Sequence, residues 1–411
     1  MLKLLHTADW HLGKRLQEFS RLEEQKLVLD EIIQVAEDEN VDLVLLAGDI
    51  FDSFNPAHEA VELLYKSLHR LSKNGTRPII AISGNHDSTQ FVEAPDPLAR
   101  EMGILFYSRY DSVIPIGKLE SGLELINSEP GFVELKLPQH PFPIRIILAP
   151  YANEVSLKTY LGEGDREAEF RNILAEKWRK LADTYCDSNG VNLYMGHFFF
   201  VKEGAKIPAD AEPESERPIL HVGGTQALFT QNIPNQIQYA ALGHLHRFQT
   251  ISKEPCPVIY SSSPLAYSFS EADQEKKVVI VQLEPNTTAE IKAIGLKQGR
   301  PLYRKTFNQL TETLEWLEQN PYCFVEITFV TEHSIDATTR KAILKAHDGI
   351  VNLIPQIKNP TGKEDVSLKA EDLEKDMVSL FKLYHQSERG QEPNEELLGI
   401  FKEVISYESK A

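Results

Sequence analysis

Leu43-Val44-Leu45-Leu46-Ala47-Gly48-Asp49-Ile50-Phe51-Asp52 joins five apolar residues to a glycine and two carboxylates. An apolar run without alternation is the pattern of a strand buried on both faces, as in a parallel sheet. The glycine ends it, and the carboxylates stand at its carboxyl end. The same grammar recurs along the chain. Leu4-Leu5-His6-Thr7-Ala8-Asp9-Trp10-His11 puts Asp9 and His11 just past a strand, two positions apart, so that both can point the same way. Ile80-Ala81-Ile82-Ser83-Gly84-Asn85-His86-Asp87 packs an amide, an imidazole and a carboxylate behind a glycine. Tyr194-Met195-Gly196-His197 and Ala241-Leu242-Gly243-His244-Leu245-His246 repeat strand, glycine, histidine.

Taken singly, each segment reads equally well as a polar turn with a surface histidine. In open α/β sheets, however, ligands gather where the carboxyl ends of strands meet, and all five turns would converge there. A carboxylate and imidazoles so gathered can chelate metal, and a shared dinuclear centre accounts for the five better than five unrelated turns.

Working outward, further buried strands are expected at Leu2–Leu5, Pro78–Ile82, Ile144–Ala149, Val191–Met195, Gln238–Leu242, Val258–Tyr260 and Val278–Leu283. Helices alternate with them. One is expected to start at Ser20, with Glu23 completing a capping box, and to run toward Asn40. Another takes Asn55 as cap with Pro56 at its first position, and a long charged one covers Arg166–Cys186. Lys118–Pro143 reads as a hairpin at a sheet edge and Gly204–Pro218 as a polar loop. This alternation predicts an α/β domain over residues 1–284.

Beyond it the texture changes. Helix-like Leu310–Gln319 and Ile335–Ala346 alternate with strand-like Tyr322–Val330 and Ile350–Ile357, an α+β domain over 285–360. A polar linker at Pro360–Asp365 leads to a helical tail over 361–411, with helices Leu368–Tyr384 and Asn394–Ser406 split by Glu388–Pro393. Their apolar stripes would be marginal in water, so a docking partner is expected.

The 411 residues, 42% hydrophobic, suffice for two or three cored domains. With 43 basic against 61 acidic side chains the net charge is −18, so any polyanion-binding surface must be local and rest on bound cations or a basic partner. The candidates for DNA phosphate contact are Lys14, Arg15 and Arg247, which flank the motifs. Cys186, Cys256 and Cys323 are too few and scattered for a disulfide framework, which favours a reducing cytosol. The N-terminus lacks a signal pattern and no apolar run nears the ~18 residues of a membrane span, so a cytoplasmic protein with no membrane association is expected.

The motif order D-x-H, G-D-x-x-D, G-N-H-D, G-H, G-H-x-H, from Asp9 to His246, resembles the calcineurin-like metallophosphoesterase superfamily. The wording of the first, second and fifth motifs is similar to the SbcD-type nuclease subunits within it. The resemblance implies a four-layer α/β sandwich followed by a capping domain. It implies one metal ion on Asp9, His11, Asp49 and His246, and a second on Asp49, Asn85, His197 and His244, with Asp49 bridging. Mixed carboxylate, amide and imidazole ligands suit Mn²⁺, and would also hold Zn²⁺ or Fe²⁺. Asp52 is read as orienting a ligand or neighbouring group by hydrogen bond. His86 is implied to be a phosphate contact and general acid rather than a ligand. His6 is read as a hydrogen-bonded core histidine.

Three functions compete: a DNA phosphodiesterase, a phosphatase acting on a small molecule or protein, and a scaffold that kept only the fold. The complete set of seven ligand positions argues against the scaffold. The added chain after Glu284 argues against the phosphatase, because a duplex needs recognition surface that a monoester does not. The resemblance further implies a homodimer joined to an SbcC-type ATPase, with 3′-to-5′ exonuclease action on duplex ends and endonuclease action on single strands or hairpins.

Overall fold

The apolar runs become the central strands of two sheets. In the computed structural model, which describes residues 1–153, 166–204, 227–332, 335–358 and 377–389 with Pro393, Leu398 and Phe401, the first sheet has the order Glu290–Gly295, Lys277–Leu283, Leu2–Thr7, Leu43–Ala47, Ile79–Ile82, Ile104–Tyr107. The second runs Gln249–Ser252, Val258–Tyr260, Tyr239–Gly243, Val191–His197, Ile144–Ala149, Phe132–Lys136, Glu124–Glu129, Gly117–Lys118. The ligand-bearing strands pair in parallel, whereas Lys277–Leu283 returns antiparallel against Leu2–Thr7. The hairpin expected over Lys118–Pro143 is the antiparallel edge of the second sheet.

Strand alternation divides the core. Leu4, Leu45, Ile80 and Val281 face Ile146, Leu193, Tyr239 and Ala241 across the gap between the sheets. On the outer face, Leu5, Val44, Leu46 and Ala81 pack against Leu29, Ile32 and Ala36 of helix Leu22–Asp38, and against Leu64 and Leu68 of His58–Leu71. Helix Arg166–Tyr185 covers the second sheet, its Phe170, Leu174 and Trp178 meeting Ile147 and Tyr194. Helix, sheet, sheet, helix is the expected four-layer sandwich. His6 spans the gap: its Nε2 lies 3.1 Å from the Leu242 carbonyl and its Nδ1 2.8 Å from the Tyr239 hydroxyl. A carbonyl can only accept, so the proton sits on Nε2.

Both expected helix caps need correction. Ser20 is spent on the two-residue strand Phe19–Ser20, so the first helix begins at Leu22 with Arg21 as cap and no side-chain capping bond. The second begins at His58 after Ala57, leaving Asn55 and Pro56 in the loop before it. Strands Ile104–Tyr107 and Glu290–Gly295 were not expected from the sequence pattern. Because Glu290–Gly295 pairs with Lys277–Gln282, the first unit does not stop at residue 284: it takes in Met1–Arg304 and Tyr322–Glu326.

The second unit comprises Lys305–Pro321 and residues from Ile327 onward. Strands Leu302–Phe307, Phe324–Thr331 and Ile350–Ile357 form a sheet in that order, with helices Leu310–Gln319 and Ala337–Ala346. Asp336 caps the latter, accepting from the Thr338 and Thr339 amides at 2.9 Å. The next described helix, Met377–Arg389, passes the expected stop at Tyr384, since Gln386–Arg389 tolerate helix and the breakers Gly390 and Pro393 lie beyond. Phe381 stacks on Phe401 with centroids 3.9 Å apart. The rest of the loop after Gly204, the Pro360–Asp365 linker, the start of the Leu368–Tyr384 helix and most of Asn394–Ser406 lie outside the described residues. Among the described residues, no helix is long and apolar enough to cross a membrane. All three cysteines are buried thiols.

Candidate metal centre

Each motif leaves the carboxyl end of a strand, and main-chain bonds lock neighbouring turns together. The Asp9 amide donates to the Gly48 carbonyl and the His11 amide to the Asp49 carbonyl, both at 2.9 Å. Asp9 (φ 56°), His11 (φ 43°), Asp49 (φ 50°) and His244 (φ 109°) have positive φ, a strain that non-glycine residues hold only where their surroundings enforce it. Two glycines are required by close approach. A Cβ on Gly84 would lie 2.1 Å from Asp49 Oδ1, and one on Gly243 would lie 1.9 Å from the Ala47 carbonyl oxygen, where the two sheets touch.

The side chains of the seven expected ligand positions converge in one buried cluster. Asp49 Oδ2 lies 3.4 Å from His11 Nε2 and 3.3 Å from His197 Nε2. Asn85 Oδ1 lies 3.1 Å from both His197 Nε2 and His244 Nδ1. His11 and His246 bring their Nε2 atoms to 3.0 Å, and Asp9 Oδ1 accepts from the His244 amide at 2.8 Å. His197 Nδ1 donates to the Ala47 carbonyl at 2.8 Å, so its lone pair is on Nε2, facing Asp49 and Asn85.

These residues fit a cation site. Asp9 with His11 and His246, and Asp9 with Asp49 and His197, each bring three ligand atoms within 4.8 Å of one another. Asp9 Oδ2 and His11 Nδ1 are buried polar atoms without a hydrogen-bond partner. Crowded acceptors of this kind are stabilised by positive charge among them. The electrostatics agree. Burial pushes Asp49 up, but the imidazoles of His197 and His11 outweigh it and hold the carboxyl well below its ordinary range. Burial wins at Asp9, which is raised despite His197 and His246. Burial opposes the His197 charge too, yet Asp49 and Asp9 lift that imidazole to about 9.

His86 stands beside the cluster, its ring 4.8 Å from that of His11. Its amide donates to Asp49 Oδ1 at 2.9 Å and its Nδ1 lies 3.1 Å from the Asp52 carbonyl, leaving Nε2 buried and unpartnered. Asp52 orients His86 through this main-chain oxygen. Its carboxylate is 3.7 Å from His11 Nδ1 and pairs instead with Lys14 Nζ at 2.6 Å. Lys14 is thus neutralised rather than presented as bare charge. Arg15 is exposed and donates to the Glu18 carbonyl, and Arg247 is exposed.

Sequence reasoning left several supports outside the site. Asp87, quoted in the third motif but given no role, accepts from the amides of Ile50, Phe51 and Gly84, tying two turns together. Gln25 donates to the His11 carbonyl at 2.7 Å and accepts from the Gly13 amide at 3.0 Å. Tyr267 sets its ring edge-on to His11 and His246. Glu271 reaches His246 Nδ1 at 3.2 Å. Only Asp87 carried a signal, its place in the motif; the others sit in no patterned segment.

Comparison with known proteins places these features in company. The family model described as calcineurin-like phosphoesterase matches residues 2–248. The SbcD subunit of the SbcCD nuclease of Bacillus subtilis (strain 168) is 33% identical over 414 residues, covering 98% of each chain. The protein of the same name from Staphylococcus epidermidis is 29% identical over 306 residues, 73% of this chain and 71% of that one. Among solved structures, a dimetal phosphatase from Danio rerio aligns at 12% identity and a TM-score of 0.40, covering 72% of this chain and 96% of that one.

Proposed function

We propose that this chain, which belongs to the calcineurin-like phosphoesterase family and within it to the SbcD-type nuclease subunits, is a metal-dependent DNA nuclease. The observation that carries the reading is the convergence of all seven ligand positions, from five separate turns, onto one buried cluster. In the proposed assignment one cation takes Asp9, His11, Asp49 and His246, and the other Asp49, Asn85, His197 and His244. The donor set suits Mn²⁺. When bound, the pair supplies Lewis-acid polarisation of a phosphodiester and an activated water as nucleophile.

The chain's own residues do the rest. Asp49 is fixed by the His86 amide through Oδ1, which leaves Oδ2 free to serve both sides. The His86 ring is oriented by the Asp52 carbonyl, so that Nε2 faces the cluster and is the atom that can deliver a proton to the leaving 3′ oxygen. As a general acid it must carry protons on both ring nitrogens.

The relatives' names suggest the wider setting: an SbcC-type ATPase as partner, DNA as substrate and a cytoplasmic location, with homodimerisation proposed alongside. The reactions would be 3′-to-5′ digestion of duplex ends and cutting of single strands or hairpins, with the second unit as a DNA-recognising cap and the tail as the ATPase contact. Arg15 and Arg247 remain the proposed phosphate contacts, with Lys14 joining them once it leaves Asp52. The test is digestion of end-labelled duplex and hairpin DNA by purified protein with Mn²⁺, with and without the co-purified ATPase. Turnover of nucleoside monophosphates with no cleavage of DNA would overturn the reading in favour of a phosphatase.

A further inference from the structure

We propose that Glu271 and Lys276 form a buried clamp that fixes His246 for one of the two cations, an inference that rests on the metal-centre reading above. Glu271 ends the short turn Phe269–Glu271, and Lys276 precedes strand Lys277–Leu283; both side chains are buried. Glu271 Oε1 lies 3.2 Å from His246 Nδ1, and Glu271 Oε2 accepts from Lys276 Nζ at 2.5 Å. Lys276 Nζ also donates to the His246 main-chain carbonyl at 2.8 Å and to Ser263 Oγ at 2.9 Å. One ion pair therefore grips a single residue at two points, its ring and its carbonyl.

The chemistry of the grip is directional. A carboxylate only accepts, so His246 Nδ1 carries the proton and Nε2 keeps its lone pair, facing His11. A carboxylate behind an imidazole also raises the basicity of the far nitrogen. Lys276 cancels the charge of Glu271, without which a buried carboxylate would be costly to keep. His197 is held differently, by the neutral Ala47 carbonyl. The carboxylate support thus belongs to the Asp9, His11 and His246 side, and its loss should be felt there.

Titration of the metal-free full-length protein with Mn²⁺ tests this. Glu271→Gln keeps an acceptor and is expected to weaken one of two binding steps about 10-fold; Glu271→Leu/Lys276→Met, which removes both charges together and leaves no buried ion alone, is expected to weaken it about 100-fold. The other step should stay unchanged, and neither change should matter further in a His246→Ala background. In parallel, ¹⁵N-histidine spectra of the metal-free protein should report the Nδ1–H form of His246 in the wild type and a tautomer mixture in the double variant. Wild-type affinity in both variants, an equal loss at both steps, or an Nε2–H form in the wild type overturns the clamp. A wild-type protein that takes up no Mn²⁺ removes the metal-centre reading itself, and the clamp with it.

Discussion

The main-chain amide of His86 donates to Asp49 Oδ1 at 2.9 Å, joining the proposed acid to the proposed bridge. The contact spends one carboxylate oxygen on holding the third turn against the second. The other oxygen is left between two imidazoles.

Removing Asp49 should therefore abolish both cation sites, whereas His246→Ala should mainly weaken one. Elemental analysis of Asp49→Ala protein checks this. Near-stoichiometric loading with two ions would refute the bridge.

His86→Gln should lose roughly 10²-fold or more on DNA but much less on bis(p-nitrophenyl) phosphate, whose leaving group needs no proton. Both metals should remain. Equal slowing on both substrates would assign the residue to phosphate positioning.

Gly84→Ala should cost about 1–3 kcal/mol, or drive Asp49 out of place, because its Cβ would meet the Asp49 amide and carboxylate. Gly295→Ala, with open space around it, is the control. Thermal unfolding and metal content report the two effects, and a Gly84→Ala protein matching the control in both would disprove the close approach.

Burial pushes the His6 imidazole down to about 3, so it stays neutral in the folded chain while the unfolded chain titrates near 6.5. Below pH 6.5 the unfolded state takes up a proton that the folded state refuses. Stability contributed here is complete above that pH and falls as pH drops toward 3, by about 2 kcal/mol at pH 5. In urea unfolding at pH 7.5 and 5, a His6→Gln protein should show a pH loss smaller by that amount. Identical losses in both proteins would count against it.

Deleting residues after Lys363 should leave small phosphodiester hydrolysis intact, since every proposed ligand precedes it, and should abolish co-purification with the ATPase. A truncated chain that still forms the complex at full strength would return the tail helices to an intramolecular role.

The centre was legible because its chemistry sits where patterned strands end: Asp9, Asp49, Asn85, His197 and His244 each follow or close an apolar run. The supports were not, since Gln25 lies on a helix face and Tyr267 and Glu271 in irregular chain, and only packing brings them to His11 and His246. The helix starts failed for a local reason, Ser20 being claimed by a hairpin and Asn55 by a loop. The boundary at residue 284 failed because Glu290–Gly295, exposed along much of its length, lacks the apolar signature of the strand it pairs with.

The antiparallel pairing of Leu2–Thr7 with Lys277–Leu283 has a consequence for synthesis. Translation delivers Asp9 and Asp49 early, but His246 and the strand that flanks the first sheet come much later, and Lys276 later still than His246. A chain emerging from the ribosome therefore carries half of a cutting centre that it cannot close. Hydrolytic competence arrives only when nearly three quarters of the polypeptide has been made, so incomplete products are inert toward the nucleic acid around them.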